Sequence, residues 1–222
     1  MTLPELFIFD MDGLLFDTER LFMELRGKVL EKYGYIHREE DYIRTMGTAG
    51  STLSALLTEI YGPGYPEQAI TTEAREAELA HLKAHGPKIK PGILSLLSYL
   101  KVYQIPACVA TSTTSEYAAS FLKAGGIYDA FSFVLTGDQV TRSKPDPEMF
   151  LTCCRRAGVP PEHALVLEDS ENGVRAAAAG HIPVICIPDL KQPSPEVRAL
   201  ATRVLDSAEE VPALFGFEKT GE

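Results

Sequence analysis

At 222 residues the chain is long enough for one medium domain with a small insertion and a sizeable buried core. Its apolar fraction of 45% is ordinary for a globular protein, and a formal net charge of -10 excludes the broad basic face that nucleic acid requires. It leaves room for an anionic small substrate, because a metal or local lysines can reverse the field inside one cleft.

No stretch approaches the ~20 apolar residues of a membrane span, and the N-terminus lacks the pattern of a signal peptide. Cys108, Cys153, Cys154 and Cys186 lie in apolar surroundings without metal-ligand spacing, so they read as reduced buried thiols. A cytoplasmic protein that binds neither nucleic acid nor membrane is the expectation, with a monomer as the default.

The first apolar run, Leu6 to Phe9, reads as a buried strand and ends abruptly in Asp10-Met11-Asp12-Gly13. Strand geometry points Asp10 and Asp12 to one side, with Met11 turned away. Asp10 can act as a nucleophile and Asp12 can move protons, while Gly13 frees the backbone for a turn. Taken alone, the pair reads equally well as two strand-end acids capping a turn.

From Asp17 to about His85 the pattern is helical, with segments at Glu19 to Tyr33, Ser51 to Tyr61 and Glu67 to His85. Turn-rich Gly47-Thr48-Ala49-Gly50 and Gly62-Pro63-Gly64 separate them, and Lys90-Pro91-Gly92 marks the return. These residues read as a helical insertion behind the first strand.

A helix over Gly92 to Val102 and a strand over Ile105 to Ala110 then lead into Thr111-Ser112-Thr113. A hydroxyl and a backbone N–H opening a helix can hold a phosphate, although hydroxyls there are also common helix N-caps. After a helix at Ser115 to Ala124 and a strand at Phe133 to Leu135 comes Ser143-Lys144-Pro145-Asp146-Pro147, opening a helix to Ala157. Lys144 can hold a phosphate and neutralise Asp10, or stand as a solvated lysine before a helix.

The strand Ala164 to Leu167 runs into Glu168-Asp169-Ser170, ahead of a helix over Gly173 to Ala179. Hard oxygen ligands at two strand ends suit Mg2+, and a helix N-terminus is the plainer alternative. A strand at Pro183 to Ile187, a short helix at Ala208 to Phe215 and a frayed end to Glu222 complete the chain. Strands alternating with helices predict an α/β fold with a parallel sheet covered on both faces. Ligands gather beyond the carboxyl ends of such strands, where all four polar clusters fall.

The runs Phe9-Asp10-Met11-Asp12-Gly13-Leu14-Leu15-Phe16-Asp17-Thr18-Glu19, Ser143-Lys144-Pro145-Asp146-Pro147 and Leu167-Glu168-Asp169-Ser170-Glu171-Asn172-Gly173 resemble the haloacid dehalogenase-like hydrolase superfamily. The likeness is to its β-phosphoglucomutase-like branch and covers nearly the whole chain. It implies a Rossmann-like core at 1–16 and 88–222 with a helical cap domain at 17–87. It also implies Asp10 as nucleophile, Asp12 as general acid and base, and Thr111, Ser112 and Lys144 as phosphate-binding residues. Mg2+ would be held by Asp10, the Asp12 carbonyl, Asp169 and Glu168, with Ser170 supporting that shell, and the cap would close over the substrate.

Within that family a second carboxylate at Asp12 favours phosphate esters over C–Cl or C–P bonds, because an alkoxide leaving group wants a proton. The resemblance therefore implies a Mg2+-dependent phosphatase acting on a small phosphorylated metabolite, with sugar phosphates foremost. A sugar phosphomutase is the alternative. Against it, Phe22 stands where a mutase would carry His, Met46 to Ser51 holds no Arg, and Thr113 to Glu116 holds no Lys, although Arg75 is a candidate substitute. A non-catalytic phosphate-binding module is the third reading. Leu21, Phe22, Arg26, Thr48 and Arg75 are the candidates for substrate selection in the cap, although Leu21 and Phe22, apolar at helical spacing, read more simply as cap core.

Overall fold

A computed structural model describes residues 1–48 and 50–217. Ala49, in the expected glycine-rich turn, and the expected frayed end at 218–222 lie outside the described residues. The chain divides into two units, one built from 1–17 and the residues from Pro87 onward, the other from Thr18–Gly86. The fold is α/β, with a Rossmann-like parallel sheet and an inserted helical cap domain.

In the first unit six parallel strands are ordered β3-β2-β1-β4-β5-β6. They are β1 (Leu6–Phe9), β2 (Ala107–Thr111), β3 (Val134–Thr136), β4 (Ala164–Glu168), β5 (Val184–Cys186) and β6 (Arg203–Val204). The central strands β1, β2 and β4 are buried at every residue, which explains their continuous apolar runs: neither face of the sheet meets water. One face, with Leu6, Ile8, Cys108, Ala110 and Val166, packs on Met149 and Phe150 of a helix at Glu148–Ala157 and on Val174 of another at Glu171–Ala179. On the other face Phe7 and Phe9 meet Phe215 and Phe131 edge to face. All four cysteines are buried and free, and the Cys108 thiol is pushed well up by a hydrogen bond with Cys153 and by burial.

The cap domain holds α1 (Thr18–Lys32), α2 (Glu39–Thr45), α3 (Gly50–Tyr61) and α4 (Glu67–His85). It has a core of its own that includes Met23, Leu30, Leu57, Ile70, Ala74 and Leu82. Arg26 is buried within it, donating to the Tyr65 hydroxyl at 2.7 Å and lying over the rings of Tyr42 and Tyr61. Phe22 is buried against Tyr42 and under the Arg75 guanidinium, 4.0 Å from its ring centre.

The remaining helices are α5 (Ile93–Val102), α6 (Ser115–Ala124), α7 (Glu148–Ala157), α8 (Glu171–Ala179), α9 (Pro195–Leu200) and α10 (Val211–Leu214). The segments on either side of the insertion run together: Asp17 N–H donates to the Lys88 carbonyl, Lys90 N–H to the Leu15 carbonyl, and the Lys88 ammonium meets Asp17 at 2.7 Å. Three elements lack the pattern that announces the others. β6 is two residues long, and α2 has few apolar positions. α9 is six residues, capped by the Ser194 side chain, which accepts Val197 N–H, with Pro195 at its first position. No helix among the described residues is long and apolar enough to cross a membrane.

Candidate active site

β1 ends at Phe9, yet Asp10 N–H still donates to the Leu167 carbonyl, so the carboxylate is delivered from an extension of the ladder. The chain then folds back on itself: Leu15 and Phe16 N–H groups donate to the Met11 carbonyl, and Gly13 N–H donates to the Phe16 carbonyl. Met11 is buried, whereas Asp10 and Asp12 both line one cavity of about 180 Å³. Gly13 sits at φ +79°, and a Cβ there would collide with the Asp169 carboxylate. Glycine is thus required twice over, for the backbone angle and for the approach of an acid from the end of β4.

The same cavity is lined by Thr111 and Ser112 from the end of β2, by Lys144, and by Glu168, Asp169, Ser170 and Asn172 from the end of β4 and the start of α8. Every residue expected from sequence as catalytic, phosphate-binding or metal-ligating therefore lies around one cavity inside the first unit. Asn172 joins the expected residues at this cavity, and its signal in the sequence is its place beside the acids that open α8.

Lys144 is the hub. Its side chain is 6% exposed, and its ammonium pairs with Asp10, donates to Glu168 Oε1 at 2.7 Å and to the Ala110 carbonyl at 3.2 Å. These bonds use all three ammonium hydrogens. Burial acts to lower the Lys144 ammonium, but Asp10 and Glu168 outweigh it and hold it above the ordinary lysine range. The second oxygen of Glu168 accepts from Ser170 N–H and Oγ–H at 2.7 and 2.9 Å. A Cβ at Gly173 would collide with this carboxylate, so glycine is needed there as well.

Burial, together with Glu168 and Asp12, pushes the Asp10 carboxyl up to about 7 against the pull of Lys144. Burial sets the direction, and the neighbouring acids add to it because one ammonium faces several carboxylates and cannot satisfy all of them. Asp10, Glu168 and Asp169 offer oxygens that all lie within 4.8 Å of one another, a hard, anionic donor set that fits a metal ion and would relieve the excess. Thr111 Oγ1 lies 3.5 Å from Asp12 Oδ2, at the outer limit of a hydrogen bond, and accepts Thr113 N–H at 3.2 Å.

The model of the haloacid dehalogenase-like hydrolase family matches residues 7–187. A probable pseudouridine-5'-phosphatase of Drosophila melanogaster is 34% identical over 94% of this chain and 92% of its own. A phosphorylated carbohydrates phosphatase of Thermotoga maritima is 34% identical over 80% of this chain and 82% of its own. Among solved structures, CbbY of Rhodobacter sphaeroides in complex with phosphate superposes with a TM-score of 0.77 at 28% identity, covering 94% of this chain and 96% of that one.

Proposed function

We propose that this chain, which belongs to the haloacid dehalogenase-like hydrolase family, hydrolyses small phosphate monoesters by way of a phospho-aspartyl intermediate on Asp10, with Mg2+ as its metal. Phosphoric monoester hydrolysis is the activity of this chain as a member of that family. Sugar phosphates are the first substrate class to consider, given the relative that acts on phosphorylated carbohydrates.

The observation that carries the mechanism is the meeting of Asp10, Asp12, Thr111, Lys144 and Asp169 in one small cavity at the strand ends. Asp10 is buried and already held in place by Lys144, as an attacking group should be. Asp12 is less buried, so it can exchange protons with water. It protonates the departing alcohol and then takes a proton from the water that opens the intermediate. Lys144, the Thr111 hydroxyl and the Ser112 backbone N–H hold the phosphoryl oxygens. Asp10, Glu168, Asp169 and the Asp12 carbonyl would hold the Mg2+, whose chemistry is to neutralise charge on those oxygens.

Phosphate release from a panel of sugar phosphates, nucleotides and pseudouridine 5'-phosphate, with Mg2+ or with chelator, tests this directly. The wild type should release phosphate only with the metal, and Asp10→Asn should lose at least about 1000-fold in rate. Equal, negligible release by both proteins across the panel overturns hydrolysis. Isomerised sugar phosphate made from a bisphosphate primer without net phosphate loss would replace it with a mutase reaction.

A further inference from the structure

The turn that follows β3 grips the loop between β2 and α6. Gly137 N–H donates to the Thr113 carbonyl at 2.9 Å, and a Cβ at Gly137 would collide with the Ser112 carbonyl, so the two backbones touch. Asp138 Oδ2 accepts Ser115 N–H at 3.2 Å, and its Oδ1 accepts Ser115 Oγ–H at 2.9 Å. The buried Thr136 hydroxyl also donates to Oδ1 and lies 2.7 Å from Ser115 Oγ. Gln139 Nε2 donates to Ser115 Oγ at 3.2 Å. Hydrogen bonds from Thr136 and then Ser115 hold the Asp138 carboxyl below its ordinary range, so it is an anion at neutral pH.

From Ser115 the contacts lead back into the cavity. Thr113 N–H fixes the Thr111 hydroxyl, and that hydroxyl reaches toward Asp12. Thr111 and Ser112 line the cavity, while Gly137, Asp138 and Ser115 do not. Thr114, the N-cap residue of α6, makes no side-chain capping bond. The first turn of α6 is therefore held by a carboxylate from another element, and that element also presses on the phosphate loop.

We propose that Asp138 is a positioning residue: by pinning the first turn of α6 to the end of β3, it fixes the Thr111 hydroxyl and the Ser112 backbone N–H that receive the phosphoryl group. This rests on the phosphate-binding roles proposed above for those two residues. These two donors meet phosphoryl oxygens that are already charged in the bound ground state, so slack in this loop costs ground-state binding.

The test separates positioning from simple helix capping. Binding of inorganic phosphate in the presence of Mg2+ is measured by calorimetry on the full chain, alongside KM, kcat and thermal melting. Asp138→Ala is expected to weaken phosphate binding and raise KM by about tenfold while changing kcat less than about threefold. Asp138→Asn keeps an oxygen that can accept from Ser115 N–H and should recover most of the loss. A lowered melting temperature with unchanged phosphate affinity and KM overturns the proposal, because that is the signature of a cap alone. Should Asp138→Ala not fold, Ser115→Ala removes one donor to the carboxylate and should weaken phosphate binding about threefold; an unchanged affinity again overturns positioning. If the wild type binds phosphate but turns over no ester, hydrolysis is overturned by itself, and the affinities of the variants still decide the role of Asp138.

Discussion

Asp10 illustrates how a single group can be stabilised and burdened at once. It is paired with Lys144, yet burial and the adjoining acids leave its carboxyl at about 7. A folded-state value above the unfolded one means the native protein holds the proton more tightly. Its stabilising contribution is therefore complete below the ordinary value of 3.8 and is lost as pH rises through about 7. In metal-free protein, Asp10→Asn should raise stability at pH 8 by on the order of 1–3 kcal/mol and have much less effect at pH 5. Lys144 keeps Glu168 as a partner in that variant, so no buried charge is orphaned. Thermal melts in chelator at the two pH values check this; equal shifts at both would contradict the account.

The residues of this cavity were legible in the sequence for a plain reason. An apolar run that stops at acids or hydroxyls is visible in a one-dimensional string, and β1 does so at Asp10, β2 at Thr111, β3 at Thr136 and β4 at Glu168. Asp138 stands just beyond the end of β3, but its pairing with Ser115, which lies on a different element, has no local mark in the string. Phe22 is buried, in keeping with the core reading of an apolar residue at helical spacing, whereas the burial of Arg26 among Tyr42, Tyr61 and Tyr65 is not visible in a string where arginine ordinarily marks a solvated face.

At the scale of elements, the loop at 141–146 owes its shape to the helix it precedes. Glu148, the first residue of α7, accepts from Thr141 N–H at 2.9 Å and Arg142 N–H at 3.0 Å, and from the Thr141 hydroxyl at 2.8 Å. These bonds, Thr141 N–H first, hold its carboxyl down to about 2. Asp146 returns the favour by accepting Glu148 N–H at 2.9 Å. Lys144 sits between the two anchors, so the element that opens α7 also aims the ammonium. Glu148→Ala should loosen this loop, raising KM about three- to tenfold and lowering the melting temperature. Steady-state kinetics beside a melt check both, and a KM equal to wild type would detach the loop from binding. Elements with a strong period or a long buried run were legible, whereas β6, α2 and α9 were too short to carry a pattern above that of a loop.

At the scale of the whole molecule, the two units have separate hydrophobic interiors. Among the described residues the sheet takes no strand from the insertion, and Asp17 and Lys88 are hydrogen-bonded neighbours. Replacing 18–86 with a short glycine-rich bridge should leave a cooperatively folding core that keeps its acidic cavity. Circular dichroism melts check this, and the melting temperature of the shortened chain should still rise on adding Mg2+, by the linkage expected of a ligand that binds only the folded state. Loss of cooperative melting would show that the core depends on the insertion.

The paired segments at 15–17 and 88–90 have a consequence for what the sheet can carry. Seen from the sheet, everything between them is a detour that leaves and returns at one doorway, and the entropy of closing such a detour grows only slowly with its length. The doorway is a socket: a different module with adjacent ends could be seated there while β1 still delivers Asp10 to the same place. The residues around the acidic cavity all come from outside 18–86, so their spacing is set by the sheet whatever module is seated there.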